Sequence, residues 1–258
     1  MASFTLKTAP IRSVRPRSRT SGANLIVLGA LAGAAVLAWA GLYSIPMAGM
    51  TPDPLSASYL IAAFLMWSIM MIAMMVPSAT PMILLHACID KAPSANLRTA
   101  HTLLFALGYL MIWAGFSAFA ALAQALLVRT GALSTMNISF GSRAAAGAVL
   151  ILAAVYELTA AKRLCLDKCQ SPLLFMLRHY RPGAAGAVRL GLVHGLFCLG
   201  CCWALMLLLF VGGVMNLAWV AVLGLVVVGE KLAPRRFHAE RFIAATLAIS
   251  GIGLLASS

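Results

Sequence analysis

The chain has 258 residues, of which 62% are hydrophobic and 10% charged, with a formal net charge of +13. A soluble domain is roughly 45–50% apolar and about 25% charged, so this composition cannot supply a water-facing surface, and lipid is the solvent for much of the chain. No basic stretch is interleaved with aromatic residues, which excludes nucleic acid as a partner and assigns the excess of Lys and Arg to orientation in a bilayer.

Residues 1–23 carry Lys7, Arg12, Arg15, Arg17 and Arg19 and no acid. This stretch is too polar for a signal-peptide core. It reads as a disordered basic cytoplasmic tail, although its lack of acids also fits an organelle transit peptide. The remainder, 24–258, reads as one transmembrane helical domain. Crossing ~30 Å of hydrocarbon takes about 20 helical residues. Segments 24–45, 58–86, 101–127, 143–161 and 190–211 meet that length, and the shorter runs 215–229 and 242–256 come close to it. Backbone groups in lipid must be bonded within the segment, so helices are the expected form. The expected fold class is all-α, a polytopic bundle of about seven spans.

Orientation follows from the loops. With the tail inside, every Lys and Arg except Arg129 and Arg143 falls on the cytoplasmic side, as the positive-inside bias requires. The N-terminus is therefore expected in the cytoplasm, and the location is a multi-pass protein of a bacterial inner membrane. The outer connections include the turn-rich stretch 45–54 and the pair Gly212-Gly213. The longest cytoplasmic connection is the loop 162–189, which contains Cys165 and Cys169.

In span two, Met66, Met70 and Met74 recur every four residues on one face, with Met71 and Met75 beside them. Pro77 and Pro81 are expected to interrupt this helix before His86. Thioethers favour Cu(I) over Zn²⁺, so Met70, Met74 and His86 are additional candidate ligands. A methionine stripe is also ordinary adaptable packing. Glu157 and Glu230 lie at the inner ends of spans four and six. Carboxylates at membrane depth are functional candidates, and interfacial ion pairs with Lys162 and Lys231 are the alternative. His86 and His101 otherwise read as solvated residues at a loop edge.

The six cysteines, at positions 88, 165, 169, 198, 201 and 202, all fall on the reducing side or within the membrane, so a disulfide framework is not expected. The densest cluster runs from His194 to Cys202. At about 100° per helical residue, taking His194 as zero, Cys198 lies near 40°, Cys201 near −20° and Cys202 near 80°. The four groups share one arc, and Gly191, Gly195 and Gly200 would let neighbouring helices approach it. His194 stands about 12 Å from Cys202 along the axis, so one ion cannot bind all four. Cys165, Cys169, His194 and Cys198 are expected to form one cytoplasmic-side metal site for Zn²⁺ or Cu(I), with Cys201 and Cys202 as a deeper station. Inert packing of small thiols is the competing reading.

The motifs Tyr156-Glu-Leu-Thr-Ala-Ala-Lys162, Cys165-Leu-Asp-Lys-Cys169-Gln-Ser-Pro172 and His194-Gly-Leu-Phe-Cys198-Leu-Gly-Cys-Cys-Trp203 resemble an uncharacterised bacterial family of predicted metal-binding integral membrane proteins. Gly212-Gly213-Val-Met-Asn216, Glu230-Lys231-Leu-Ala-Pro234 and the methionine-rich run 70–77 continue the resemblance. The chain departs from it at Ala160-Ala161, where the family has a proline after the threonine, so a local bend before Lys162 is open. The resemblance implies metal binding without naming a metal.

The leading expectation is a protein that binds a soft metal, Cu(I) ahead of Zn²⁺, for transport across the bilayer or delivery to another membrane protein or a metallochaperone. A membrane thiol–disulfide oxidoreductase built on the CxxC Cys198–Cys201 is a second reading. An accessory or scaffold subunit of a membrane complex is a third. No nucleotide-binding loop and no serine–histidine–acid arrangement is present in the sequence, so a binding protein is favoured over an enzyme.

Overall fold

The computed structural model describes residues 22–44, 53–134, 138–233 and 238–257. The basic tail expected over 1–23 lies outside the described residues up to position 21, as does most of the first outer connection. Ten helices follow in order: α1 Gly22–Ser44, α2 Ala57–Ile89, α3 Ala95–Arg129, α4 Arg143–Glu157, α5 Ala160–Gln170, α6 Pro172–His179, α7 Ala184–Leu207, α8 Leu209–Gly212, α9 Leu217–Leu232 and α10 Ala239–Ala256. No strand is present among the described residues, and the all-helical expectation holds.

Among the described residues, five helical segments are long and apolar enough to cross a membrane. A sixth is counted if α4 and α5 form one bent span. The segment expected as a span over 215–229 is α9, whose 16 residues fall short of the about 20 that a perpendicular crossing takes. Connections sort into two ends. At one end the α2–α3 turn meets the residue after α6, through Tyr180 Oη donating to Asp90 Oδ1 at 2.9 Å. There Gln170 Nε2 also donates to the carbonyl of Ala233 after α9, at 3.3 Å. At the other end the Phe140 amide donates to the Phe210 carbonyl at 3.0 Å, and Arg143 Nη1 reaches the Ser257 carbonyl at 3.3 Å.

α2, α3 and α7 form the centre of the bundle, with α1 against α2, α9 against α2, and α4 paired with α10 at the side. Leu25, Leu37, Phe119, Leu152, Leu225 and Ile249 point outward and are well exposed. Inside, Trp67 Nε1 donates to Gln124 Oε1 at 2.8 Å, and Gln124 Nε2 donates to Tyr59 Oη at 3.0 Å. These bonds satisfy the polar atoms that α2 and α3 bury against each other.

Three expectations change. Pro77 and Pro81 do not interrupt α2, which runs through both. Hydroxyls serve that turn: Ser78 donates to the Met75 carbonyl at 2.8 Å and Thr80 to the Val76 carbonyl at 2.9 Å. The expected loop 162–189 is mostly helical, as α5 and α6. Thr159 caps α5 by accepting from the Lys162 amide at 3.2 Å, and Pro172 occupies the first turn of α6, where a proline lacks no needed donor. The bend before Lys162 is present without the family's proline: α4 and α5 meet at 65°.

α3 and α7 approach so closely that a Cβ at Gly191 would lie 2.1 Å from the Phe105 carbonyl oxygen and 2.9 Å from the Tyr109 nitrogen. Backbone is on both sides and nothing can yield. Gly191→Ala should therefore cost about 1–3 kcal/mol by overpacking. Thermal unfolding in detergent micelles should show a lowered midpoint for this variant. Gly253→Ala, where a Cβ would meet nothing within 4 Å, should not lower it.

Candidate metal centre

The site begins where α4 ends. Thr159 Oγ1 donates to the Tyr156 carbonyl at 2.7 Å while capping α5, and this turn brings Lys162 beneath the end of α4. Lys162 Nζ pairs there with Glu157 and, at 2.7 Å, with Glu230 Oε1 of α9. All three residues are buried. The interfacial pairs expected from sequence are thus one interior triad, and Lys231 is not the partner of Glu230. A buried cation between two carboxylates is held by the large cost of leaving any member alone.

Pinned at Lys162, α5 lies along α7. Cys165 and Cys169, one turn apart, reach the α7 backbone and thiols respectively. The Cys165 sulfur fills the space that a Cβ on Gly200 would need, 2.7 Å away, and Tyr156 Oη donates to the Gly200 carbonyl. Cys169 Sγ stands 4.0 Å from Cys201 Sγ. Gln170 Nε2 closes this contact from behind by donating to the Glu230 carbonyl at 2.8 Å.

Cys198 faces a different set of partners. Lys231 Nζ donates to its sulfur at 2.9 Å and to Ser78 Oγ at 2.9 Å, and Tyr109 Oη lies 3.1 Å from the same sulfur. The Cys201 and Cys202 thiols each donate to the Cys198 carbonyl at 3.0 Å. His194 is buried among the rings of Phe105, Tyr109 and Phe175, with centroids 5.5–6.0 Å away, and its Nδ1 has no partner. A cavity of about 170 Å³ opens here, walled by Cys169, His194, Lys231, Ser78 and Met82.

The expected candidates therefore divide. Cys169, Cys201, His194 and Cys198 share one neighbourhood, and Cys165 packs beside it. The expected four-ligand shell of Cys165, Cys169, His194 and Cys198 is not assembled: among the described residues no three or more His, Cys, Asp or Glu side chains stand ready to hold one ion. Lys231 and Tyr109 occupy Cys198, and Gly200 takes Cys165. Met70 and Met74 are buried in the core, Met74 against Gly224 of α9.

His86 is buried, bonded through Nδ1 to Thr102 Oγ1 at 3.1 Å and stacked on Phe105. His101 pairs with Asp90 at 2.8 Å. Neither histidine is the solvated loop-edge residue expected. Glu157 belongs to the lysine triad rather than to the thiols.

Lys231, Ser78 and Tyr109 were not foreseen at the site. Lys231 ends an apolar helix beside Glu230, and a charge at that depth is the signal that could have found it. Ser78 and Tyr109 gave none, since their roles come from packing between helices remote in sequence.

Removing the triad's cation would leave two buried carboxylates unpaired, which typically costs about 3–5 kcal/mol. Lys162→Met should accordingly lower the thermal midpoint and the folded yield sharply. Adding Glu157→Gln and Glu230→Gln to it should restore much of the loss.

Comparison with curated proteins and with solved structures yields no match. A family model does match: PpoB2, described as a copper chaperone, over residues 64–254. The matched range holds every cysteine, the methionine stripe, the Lys162 triad and the cavity. It joins the motifs that resembled a metal-binding family to copper in particular. The chain belongs to the PpoB2 family of copper chaperones.

Proposed function

We propose that the chain is an integral membrane copper chaperone that takes up Cu(I) at the Cys169–Cys201 pair and passes it to a protein partner. The observation that carries this reading is the approach of two thiols from different helices to 4.0 Å beside a cavity that His194 and Met82 also line. Metal–thiolate bonds of ~2.3 Å bridge two sulfurs at that separation with little movement. Cu(I) accepts two soft ligands, whereas Zn²⁺ in a protein site takes four. Sequence-remote thiols so arranged can hold an ion firmly and still release it by exchange with a partner's thiols. Met82 in the wall, and then the buried Met70 and Met74, are the softer donors beyond the pair.

The protein is placed in a bacterial inner membrane with seven spans, the N-terminus and the copper pair on the cytoplasmic side. The sorting of connections into two ends supports this topology, because it makes α9 run from one end to the other despite its length. The bias of Lys and Arg between the loops, counted in the sequence, supports the orientation. Lipid covers the exposed apolar faces, and the partner is another membrane protein or a soluble metallochaperone.

The redox alternative is disfavoured, since the Cys201 thiol is directed to the Cys198 carbonyl and Lys231 holds the Cys198 sulfur. Cys169 and Cys201, 4.0 Å apart, bring together thiols from two different helices.

An anaerobic titration with Cu(I) against a chromophoric chelator tests the reading. The purified protein in detergent should bind one equivalent. Cys169→Ser and Cys201→Ser should each weaken binding at least tenfold, while Cys88→Ser, at an exposed position on the far part of α2, leaves it unchanged. Equal affinity in all three variants would overturn the proposal.

A further inference from the structure

Lys231 presents an unusual charge. Its side chain is buried, with the residue 8% exposed, and its polar contacts are Ser78 Oγ and the Cys198 sulfur. Among the described residues no carboxylate pairs with it: Glu230, its neighbour in sequence, is turned to Lys162. An ammonium buried in a membrane-spanning bundle without a carboxylate is costly. The charge persists where something anionic is to be met.

The cavity beside it indicates what that is. Lys231 and Cys169 line the same space. Cys201, the other member of the thiol pair, donates to the carbonyl of the very residue whose sulfur Lys231 holds. His194 turns an unpartnered ring nitrogen into this neighbourhood.

Resting on the copper reading above, we infer that Lys231 is the counter-ion of the loaded site and sets its preference for a monovalent metal. When Cu⁺ binds, each thiol gives its proton to the solvent and each sulfur forms one bond to the metal. The product, a copper bis-thiolate, carries one negative charge. One fixed ammonium neutralises it. A zinc bis-thiolate is already neutral, and beside the same ammonium it would leave the pocket with an uncompensated positive charge. Lys231 therefore rewards Cu⁺ and opposes Zn²⁺ through charge alone, without contributing a ligand.

Parallel competition titrations with Cu(I) and Zn²⁺ on the full chain in detergent separate this role from a structural one. Lys231→Met should bind Cu(I) at least tenfold more weakly while its Zn²⁺ affinity is unchanged or raised. Lys231→Arg, which keeps the charge, should recover most of the Cu(I) affinity. Unchanged Cu(I) affinity in Lys231→Met overturns the inference, and so does a matching loss of both metals, which marks a purely structural residue. If Lys231→Met does not fold, Lys231→Arg decides: its Cu(I)-over-Zn²⁺ preference should match that of the unaltered protein, and a lost preference overturns the inference. A wild-type protein that binds no Cu(I) would instead sink the Cys169–Cys201 reading on which the inference stands.

Discussion

The position of Lys162 governs this molecule. A primary ammonium with no water around it must be surrounded by negative charge, and only the ends of α4 and α9 supply carboxylates at that depth. Satisfying it forces the chain to bend by 65° after Leu158 and to run α5 back across α7. That course brings the more polar segment α5 against the middle of α7. Cys165 then fills the notch at Gly200 and Cys169 arrives beside Cys201. The thiol pair is a consequence of the ion triad.

The two buried lysines divide the work. Lys162 is fully compensated and structural. Lys231, one residue past Glu230, bonds among the described residues to a hydroxyl and a thiol. The two carboxylates and two ammoniums together balance, yet the negative charge is concentrated on one side of α9 and leaves the other side positive. Such a field suits a cargo that becomes anionic once bound. In the proposed reading it also suits release, because two thiols on separate helices are an open shell in which an incoming thiol can exchange with one while the other still holds the ion.

Much of this was legible from residues alone. Continuous apolar runs marked the helices, since hydrocarbon leaves no other form for the backbone, and the spacing of His194, Cys198, Cys201 and Cys202 put their side chains on the interior arc they occupy. Gly191 and Gly200 were legible as points of close approach. The helices α5 and α6 were not, because segments too short to cross a bilayer read as loop, and their ends are set by Thr159, Pro172 and the demand of Lys162. Nor was the division of the thiols. Cys198 sits on the expected face, but whether it meets another sulfur or an ammonium is decided by where α9 ends, a contact across 33 residues. His86 and His101 read as wet because they sit at a loop edge; both are buried, His86 bonded to Thr102 and His101 paired with Asp90.

The account turns on copper held by sulfur from both α5 and α7. X-ray absorption at the copper edge, on protein in which Cys169 and Cys201 are the only cysteines left, addresses this directly. The account predicts a reduced copper ion with a first shell of two sulfurs. A shell of nitrogen and oxygen, or of one sulfur alone, would contradict it.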